Sequence, residues 1–427
     1  MLEKLFGFNP KEMSLKTEIM AGITTFLTMA YILAVNPSIL GETGMDKGAL
    51  FTTTVLVSAA ATILMGLYAK LPFALAPGMG LNAFFAYTIC ASMGYSWQFA
   101  LTAVFLEGLI FIFLTVSNLR EKLVYILPDA VKTAISAGIG LYIAFIGLKS
   151  AGIIVDHPST LVCFGKLNAA STLGLVGIVI TSALLIKKVK GGLLFGILLT
   201  MLAGIPFGVT KFDGIFSAPP SVEPIFFKFE WSQIFTQEMA IVVLTFLFVD
   251  LFGAIGTIIG VANSAGTGKD GKITGLNRAF LVDAIATTGG AMMGSSTVTT
   301  FVESAVGVKE GGRSGLTAFV CGLCFLSALF LAPLFLAIPA SATAPVLVLV
   351  GLMMVSSSVS KIDFSDYSEA VPAFLCIIFM PLSYSISEGI VIGHLSYVFI
   401  NLCCGRMKKV SISMCALATF FILKFFL

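Results

Sequence analysis

Four carboxylates stand inside runs of apolar residues. Asp250 lies in Leu244-Thr-Phe-Leu-Phe-Val-Asp250-Leu-Phe-Gly253, and Glu303 in Thr299-Thr-Phe-Val-Glu303-Ser-Ala. Glu107 lies in Val104-Phe-Leu-Glu107-Gly-Leu-Ile, and Asp283 in Phe280-Leu-Val-Asp283-Ala-Ile. A charged side chain at the centre of a bilayer costs about 2.5–3.5 kcal/mol on insertion scales, so such groups pair or carry function. Asp250 and Glu303 are read as the working pair. Two carboxylates beside one dry cavity resist being charged together. One is therefore a candidate proton carrier and the other an acceptor for substrate. Glu107 and Asp283 are read as helix-to-helix contacts or supports for the site.

Two segments near these residues are interrupted in the same way. One opens with Pro77-Gly78-Met79-Gly80 and then Asn82; the other with Gly294-Ser-Ser-Thr297-Val-Thr299-Thr300. Paired glycine-broken segments at matching places in two halves of a chain point to a mid-membrane binding site. Close helix packing is the plainer explanation of the glycines. Amides freed at the segment starts would face a cavity. Asn82 can donate and accept, and Thr297, Thr299 and Thr300 add hydroxyls. The set suits a small, planar, neutral solute with donors and acceptors around its edge. It suits an inorganic anion less, because the carboxylates repel it and no basic residue lies mid-span.

Other motifs lead nowhere. Gly266-Thr-Gly-Lys269-Asp270 lacks the spacing and the hydroxyl of a phosphate loop and reads as a cytoplasmic turn. Cys321-Gly-Leu-Cys324 has no second pair or histidine nearby, which leaves two small residues of one helix. The histidines are His157, in an outside loop, and His394, a packed polar residue. No cofactor, metal site or nucleic-acid partner is expected.

The elements that must position these groups are membrane spans. Of 427 residues, 58% are hydrophobic, 11% are charged, and mean hydropathy is +1.03. A soluble chain carries about 25% charged residues. A cytosolic enzyme, a nucleic-acid binder and a disordered chain are excluded, and lipid is the solvent. Apolar runs place spans near 17–40, 49–69, 72–92, 98–117, 127–150, 170–187 and 192–209. After a polar linker, 210–235, they continue near 236–262, 275–293, 294–309, 314–336, 343–358, 368–382 and 386–403. A last run, 411–427, spans, re-enters or lies at the interface. Met1 to Lys16 reads as a cytoplasmic lead-in.

Charge supports about fourteen spans with the N-terminus inside. The even-numbered connections then hold Lys70, Arg120, Lys122, Lys187, Lys188, Lys190, Lys269, Lys272, Arg278, Lys309, Arg313, Lys361, Arg406, Lys408 and Lys409. Lys47, Lys149, Lys166, Lys211 and Lys228 fall outside. Discarding the short 294–309 segment would invert every later loop. Seven spans on either side of the linker insert in opposite orientations, which is the arithmetic of an inverted-repeat transporter.

Several stretches carry a family resemblance. Ala21-Gly-Ile-Thr-Thr-Phe-Leu-Thr-Met-Ala-Tyr31, Ala76-Pro-Gly-Met-Gly-Leu-Asn-Ala-Phe84, Phe248-Val-Asp250-Leu-Phe, Ser295-Ser-Thr-Val-Thr-Thr-Phe-Val-Glu303-Ser and Gly311-Gly-Arg-Ser-Gly-Leu-Thr317 are similar to the AzgA-like branch of the second nucleobase–cation symporter family. The resemblance covers essentially the whole chain. It implies an all-α polytopic membrane protein, a seven-plus-seven inverted repeat with short strands in segments 3 and 10. It implies a core domain of 17–126 and 236–338 and a gate domain of 127–209 and 339–427. The base would sit between segments 3 and 10, with Asp250, Glu303, Gly80 and Asn82 at the family's site positions. Proton symport, elevator-like motion and a homodimer joined through the gates are implied in the same way. One departure stands out: Gly253 occupies a place where the family often has a second Asp.

The expected function is proton-coupled import of purine nucleobases (adenine, guanine, hypoxanthine) across the cell membrane. The competing reading is another nucleobase, uracil or xanthine, or a small anion, carried by the same architecture. An intramembrane enzyme built on Asp250 and Glu303 finds no other support. In the expected cycle a proton neutralises one site carboxylate and the base binds. The loaded core then slides past the gate along Gly256, Gly260, Gly289 and Gly290.

Overall fold

The computed structural model describes residues 2–117, 127–211, 214–265, 268–269, 272–273 and 275–426. Arg120, Lys122 and Asp270 lie outside these residues, as do the surroundings of Gly256 and Gly260. In chain order the first half comprises α1 (Leu2–Phe6), α2 (Leu15–Met29), α3 (Ile32–Leu40), α4 (Lys47–Leu64), β1 (Leu75–Pro77), α5 (Met79–Ala83), α6 (Trp97–Val116), α7 (Asp129–Ser150), the β2–β3 hairpin (Ile154–His157, Leu161–Phe164), α8 (Ala169–Ile186) and α9 (Gly192–Gly204). A π-helical stretch, Phe84–Ser92, continues α5. The second half comprises α10 (Gln237–Ala265), a ribbon of β4 (Gly268–Lys269) and β5 (Lys272–Ile273), α11 (Leu276–Met292), β6 (Val298–Thr300), α12 (Ser304–Lys309), α13 (Gly315–Ser327), α14 (Ala332–Leu336), α15 (Ala340–Val359), α16 (Tyr367–Ser383), α17 (Ile386–Cys403) and α18 (Ile412–Phe426).

Eight helical units among the described residues are long and apolar enough to cross a membrane. Segments 3 and 10 are broken into short pieces, and the reason is local. Segment 3 is a three-residue strand followed by a helix; segment 10 is a strand followed by the six-residue α12. Neither needs to span alone, because the strands meet. β1 and β6 pair antiparallel, with Leu75 opposite Thr300, Ala76 opposite Thr299 and Pro77 opposite Val298. Pro77 has no N–H to donate. The ladder is continued by Gly78, whose N–H donates to Thr297 O at 2.9 Å, and by Phe301, whose N–H donates to Ala74 O at 3.0 Å. Backbone groups that lipid could not satisfy are thus paired inside the protein.

The packing repeats across this strand pair. α4 packs on α13, and their counterparts α11 and α6 pack together. α2 lies on α13 as α10 lies on α6; α8 meets α9 as α16 meets α17. α7 contacts α16 and α17, and α15 contacts α8 and α9. α7 and α15, the fifth helical unit of each half, pack on each other. Every pair maps onto another pair, or onto itself, when the halves are exchanged. That is the signature of an inverted repeat, with Ala76 and Thr299 at the centre of the strand pair.

Glycine permits the closest of these approaches. A Cβ on Gly140 of α7 would stand 2.7 Å from the carbonyl oxygen of Gly351 on α15, and a Cβ on Gly351 would collide in turn with Gly140 O. Gly290 does not line a sliding seam. It packs on Val57 of α4 and Val298 of β6, and a Cβ on Gly289 would meet no described residue within 4 Å.

Side-chain caps fix the helix starts. Asp46 accepts from Ala49 N at 2.7 Å, and Asn168 and Ser171 form a reciprocal capping box; each such cap is worth about 1 kcal/mol. The 214–235 linker is anchored: Ser217 N donates to Phe330 O at 3.0 Å, and Glu230 N to Thr102 Oγ1 at 2.8 Å. Hydrogen bonds from Ser96 and Gln233 hold the Glu230 carboxyl below its usual range. His157 ends the β2 strand of a hairpin that the sequence reading treated as loop. His394 is fully buried on α17, and its Nε2 lies 3.0 Å from Met414 O, tying α18 to α17.

Candidate functional site

The strand pair sets the geometry. Immediately after β6 the chain turns through Phe301 and Val302, and Glu303 precedes α12. The turn consumes the first amides of that helix. Ser304 N donates to Phe301 O, Ala305 N to Val302 O, and Val306 N to Glu303 O. With Gly78 N on Thr297 O, the segment starts offer fewer open amides than their glycines implied.

Glu303 is held from the first segment. The hydroxyl of Tyr31, at the junction of α2 and α3, donates to Glu303 Oε1 at 2.6 Å. Tyr31 is fully buried, whereas Glu303 is half-buried. A phenol donating to a carboxylate fixes its orientation and leaves the other oxygen for a ligand.

Asn82 is wholly buried and woven into a polar chain. Its Nδ2 donates to Asn36 Oδ1 at 2.6 Å, and Asn36 Nδ2 donates to Thr54 Oγ1 at 2.7 Å. Ser296 donates to Asn82 Oδ1. Thr297, also fully buried, donates to Glu107 Oε2 at 2.6 Å. Asn82 and Thr297 thus brace segments 3 and 10 against α3, α4 and α6. Glu107 is the support the sequence reading suggested. Thr299 and Thr300 differ: their hydroxyls are buried with no hydrogen-bond partner among the described residues. Thr299 lies opposite Ala76 at the centre of the strand pair.

Asp250 is 1% exposed in α10. That helix packs on β6, α12 and α5, so it touches both interrupted segments. One turn earlier, Phe246 meets Phe84 edge-on with centroids 4.9 Å apart. Asp283 is buried on α11. Gly80 lies under Ile139 of α7, and a Cβ there would stand 2.5 Å from the Ile139 Cγ2 methyl. It marks a close approach of segment 3 to α7. A Cβ on Gly253 would meet no described residue within 4 Å.

The structure therefore gathers Glu303, Gly80, Asn82, Thr297, Thr299, Thr300 and the helix of Asp250 around one short sheet. Sequence reasoning missed Tyr31, Asn36 and Ser296. A phenol and an amide inside the first apolar run were the signal, since buried polar groups in lipid-facing segments need partners. Among the described residues no cluster of three His, Cys, Asp or Glu could hold a metal.

A family model described as a permease family (Xan_ur_permease) matches residues 16–392. The chain belongs to the xanthine/uracil permease family. Its similarity to individual members runs end to end. It is 44% identical to the guanine/hypoxanthine permease PbuG of Bacillus subtilis (strain 168), over 99% of this chain and 99% of that one. It is 42% identical to the adenine permease AdeP of Escherichia coli (strain K12), over 99% of this chain and 96% of that one. Among solved structures, the transmembrane domain of a cyanobacterium bicarbonate transporter, BicA, superposes with a TM-score of 0.65 at 17% identity, covering 89% of this permease and 97% of that chain. At that identity the likeness shows the fold alone. The permease is a multi-pass membrane protein and a transporter rather than an enzyme.

Proposed function

We propose that this permease imports purine nucleobases (adenine, guanine or hypoxanthine) together with a proton. The observation that carries the reading is Glu303, half-buried beside the strand pair and oriented by Tyr31. A fixed carboxylate accepts the ring N–H groups of a purine, and the Thr299 and Thr300 hydroxyls, without a partner among the described residues, are further donors on the strand pair. The relatives named for guanine, hypoxanthine and adenine support the same substrate class.

Asp250 and Glu303 are the proton-coupling pair in this reading. A proton taken from outside neutralises the site, so the loaded sheet moves without carrying a bare charge past a dry interface. The moving core is the part built on α2–α6 and α10–α14, and the gate is built on α7–α9 and α15–α18. Gly80 against Ile139 lies on the seam. The N-terminus is cytoplasmic, no cofactor is used, and two copies join through their gates.

The test is radiolabelled hypoxanthine uptake in cells lacking their own purine permeases, challenged with unlabelled adenine, guanine, xanthine and uracil. Saturable uptake blocked by purines and not by uracil supports the reading, and raising the outside pH or adding a protonophore should suppress accumulation. Uptake that persists under both treatments and follows sodium would remove the proton. Uptake intact in both Glu303→Gln and Asp250→Asn would remove these residues from the site.

A further inference from the structure

A cavity lies at the far end of segment 3 from the strand pair. It encloses about 250 Å³ between the end of the first segment and the start of α6. Glu42, Tyr87, Cys90, Tyr95 and Trp97 provide its chemistry. Sites for drug-sized ligands run to about 300–1,000 Å³, so this volume fits one small heterocycle. Its walls combine three aromatic rings with one carboxylate. Tyr95 is part of a flat wall, stacked on Phe99 at 4.2 Å and 14°.

The position matters as much as the lining. Ser96, also on the wall, donates to Glu230 of the linker, so the cavity opens on the linker side of the molecule. Segment 3 runs directly from the central sheet to it: β1, Gly80 and Asn82, then the π-helical Phe84–Ser92 that bears Tyr87 and Cys90. Ten helical residues from Gly80 to Cys90 rise roughly 15 Å. π-helical turns cluster at functional sites because their widened winding displaces side chains from the regular helical face. One continuous element therefore joins the two places.

We propose that this cavity is an outer vestibule that binds a neutral planar nitrogen heterocycle of the purine class before it reaches Glu303. The ring lies against Tyr95 and Trp97, and the Glu42 carboxylate on the same wall accepts a ring N–H. The inference rests on the nucleobase reading above and adds a second, sequential site to it.

The chain has two tryptophans, Trp97 and Trp231. Trp231→Phe keeps an aromatic ring beside Phe105 and Phe229 and leaves Trp97 as the sole indole reporter. The purified full-length Trp231→Phe protein, with and without Glu303→Gln, is titrated with hypoxanthine while Trp97 emission is followed under red-edge excitation. The vestibule predicts saturable quenching that survives Glu303→Gln and weakens at least tenfold on adding Glu42→Ala. Quenching that disappears with Glu303→Gln, in a protein whose Trp231→Phe form still takes up hypoxanthine, overturns the vestibule alone. Quenching indifferent to Glu42→Ala overturns it as well. Neither uptake nor quenching in the Trp231→Phe protein overturns the nucleobase reading together with it.

Discussion

The Tyr31 hydroxyl and the Glu303 carboxylate, 272 residues apart in the chain, are 2.6 Å apart in space. A hydrogen bond to a charged group is worth about 1.5–3 kcal/mol. Tyr31→Phe removes the donor and leaves the ring in its packed site. Hypoxanthine uptake should fall roughly ten- to a hundredfold in Vmax/KM, with unchanged protein in the membrane. Glu303→Gln keeps an acceptor for Tyr31 and removes the charge, so its loss of uptake should be larger. Equal uptake by wild type and Tyr31→Phe would separate the phenol from the site.

Gly253 offers a change in the opposite direction. A Cβ there meets no described residue within 4 Å, so Gly253→Asp should insert and fold. It places a second carboxylate nearly one turn from Asp250. The expected outcome is normal membrane abundance with an altered order of competing bases, or an altered pH dependence of uptake. An uptake profile identical to wild type on both counts would mean that position 253 does not face the site.

The Gly140–Gly351 contact is structural and makes a different prediction. Gly140→Ala forces a methyl against the Gly351 carbonyl across the α7–α15 interface. Overpacking of this kind costs about 1–3 kcal/mol. The thermal midpoint of the detergent-purified protein should fall, while hypoxanthine KM in the surviving protein stays near wild type.

A charge cluster ties α16 to the segment after α17. Arg406 and Lys409 both contact Asp366, at 3.0 and 3.1 Å, and Lys409 also meets Glu369 at 3.0 Å. Hydrogen bonds from Ser368, with help from Lys409 and Arg406, hold the Asp366 carboxyl well below the usual carboxylate range. Glu369 and Asp366 push the Lys409 ammonium up. A depressed acid contributes stability above its unfolded value of about 3.9 that is lost as pH falls through its folded value. A raised lysine contributes below about 10.4 and loses that contribution as pH rises through the folded value. Asp366→Asn should therefore lower thermal stability at neutral pH, and the gap from wild type should close only in strong acid. Salt should shrink the gap, since these groups are exposed. Any pH dependence of uptake between about pH 5 and 8 should survive the substitution.

The sequence carried the fold because lipid leaves few choices. Long apolar runs, charge on one side of them, and two glycine-broken segments at matching places led to an inverted repeat, and the family resemblance added the short strands in segments 3 and 10. It also led to Glu303 and to Asp250's helix beside those strands. It could not say which polar groups were free. Asn82 and Thr297 look as available in sequence as Thr299 and Thr300. The difference comes from Asn36, Thr54, Ser296 and Glu107, which reach them only after segments 1, 2, 4 and 10 have packed. Gly290 was misassigned for a related reason. A glycine shows that something comes close, and only the packed structure shows that Val57 and Val298 do so.

The register of β1 on β6 also sets the order of biosynthesis. Pro77 leaves the ribosome about 220 residues ahead of its partner Val298. At about 5–20 residues per second this is a wait of roughly 10–45 s. During that time segment 3 has an open strand edge that hydrocarbon cannot satisfy. The first half is therefore inserted but unfinished until the second arrives. A chain cut in the linker should be rescued only when both fragments are made together, and each fragment alone should be a target for membrane proteolysis.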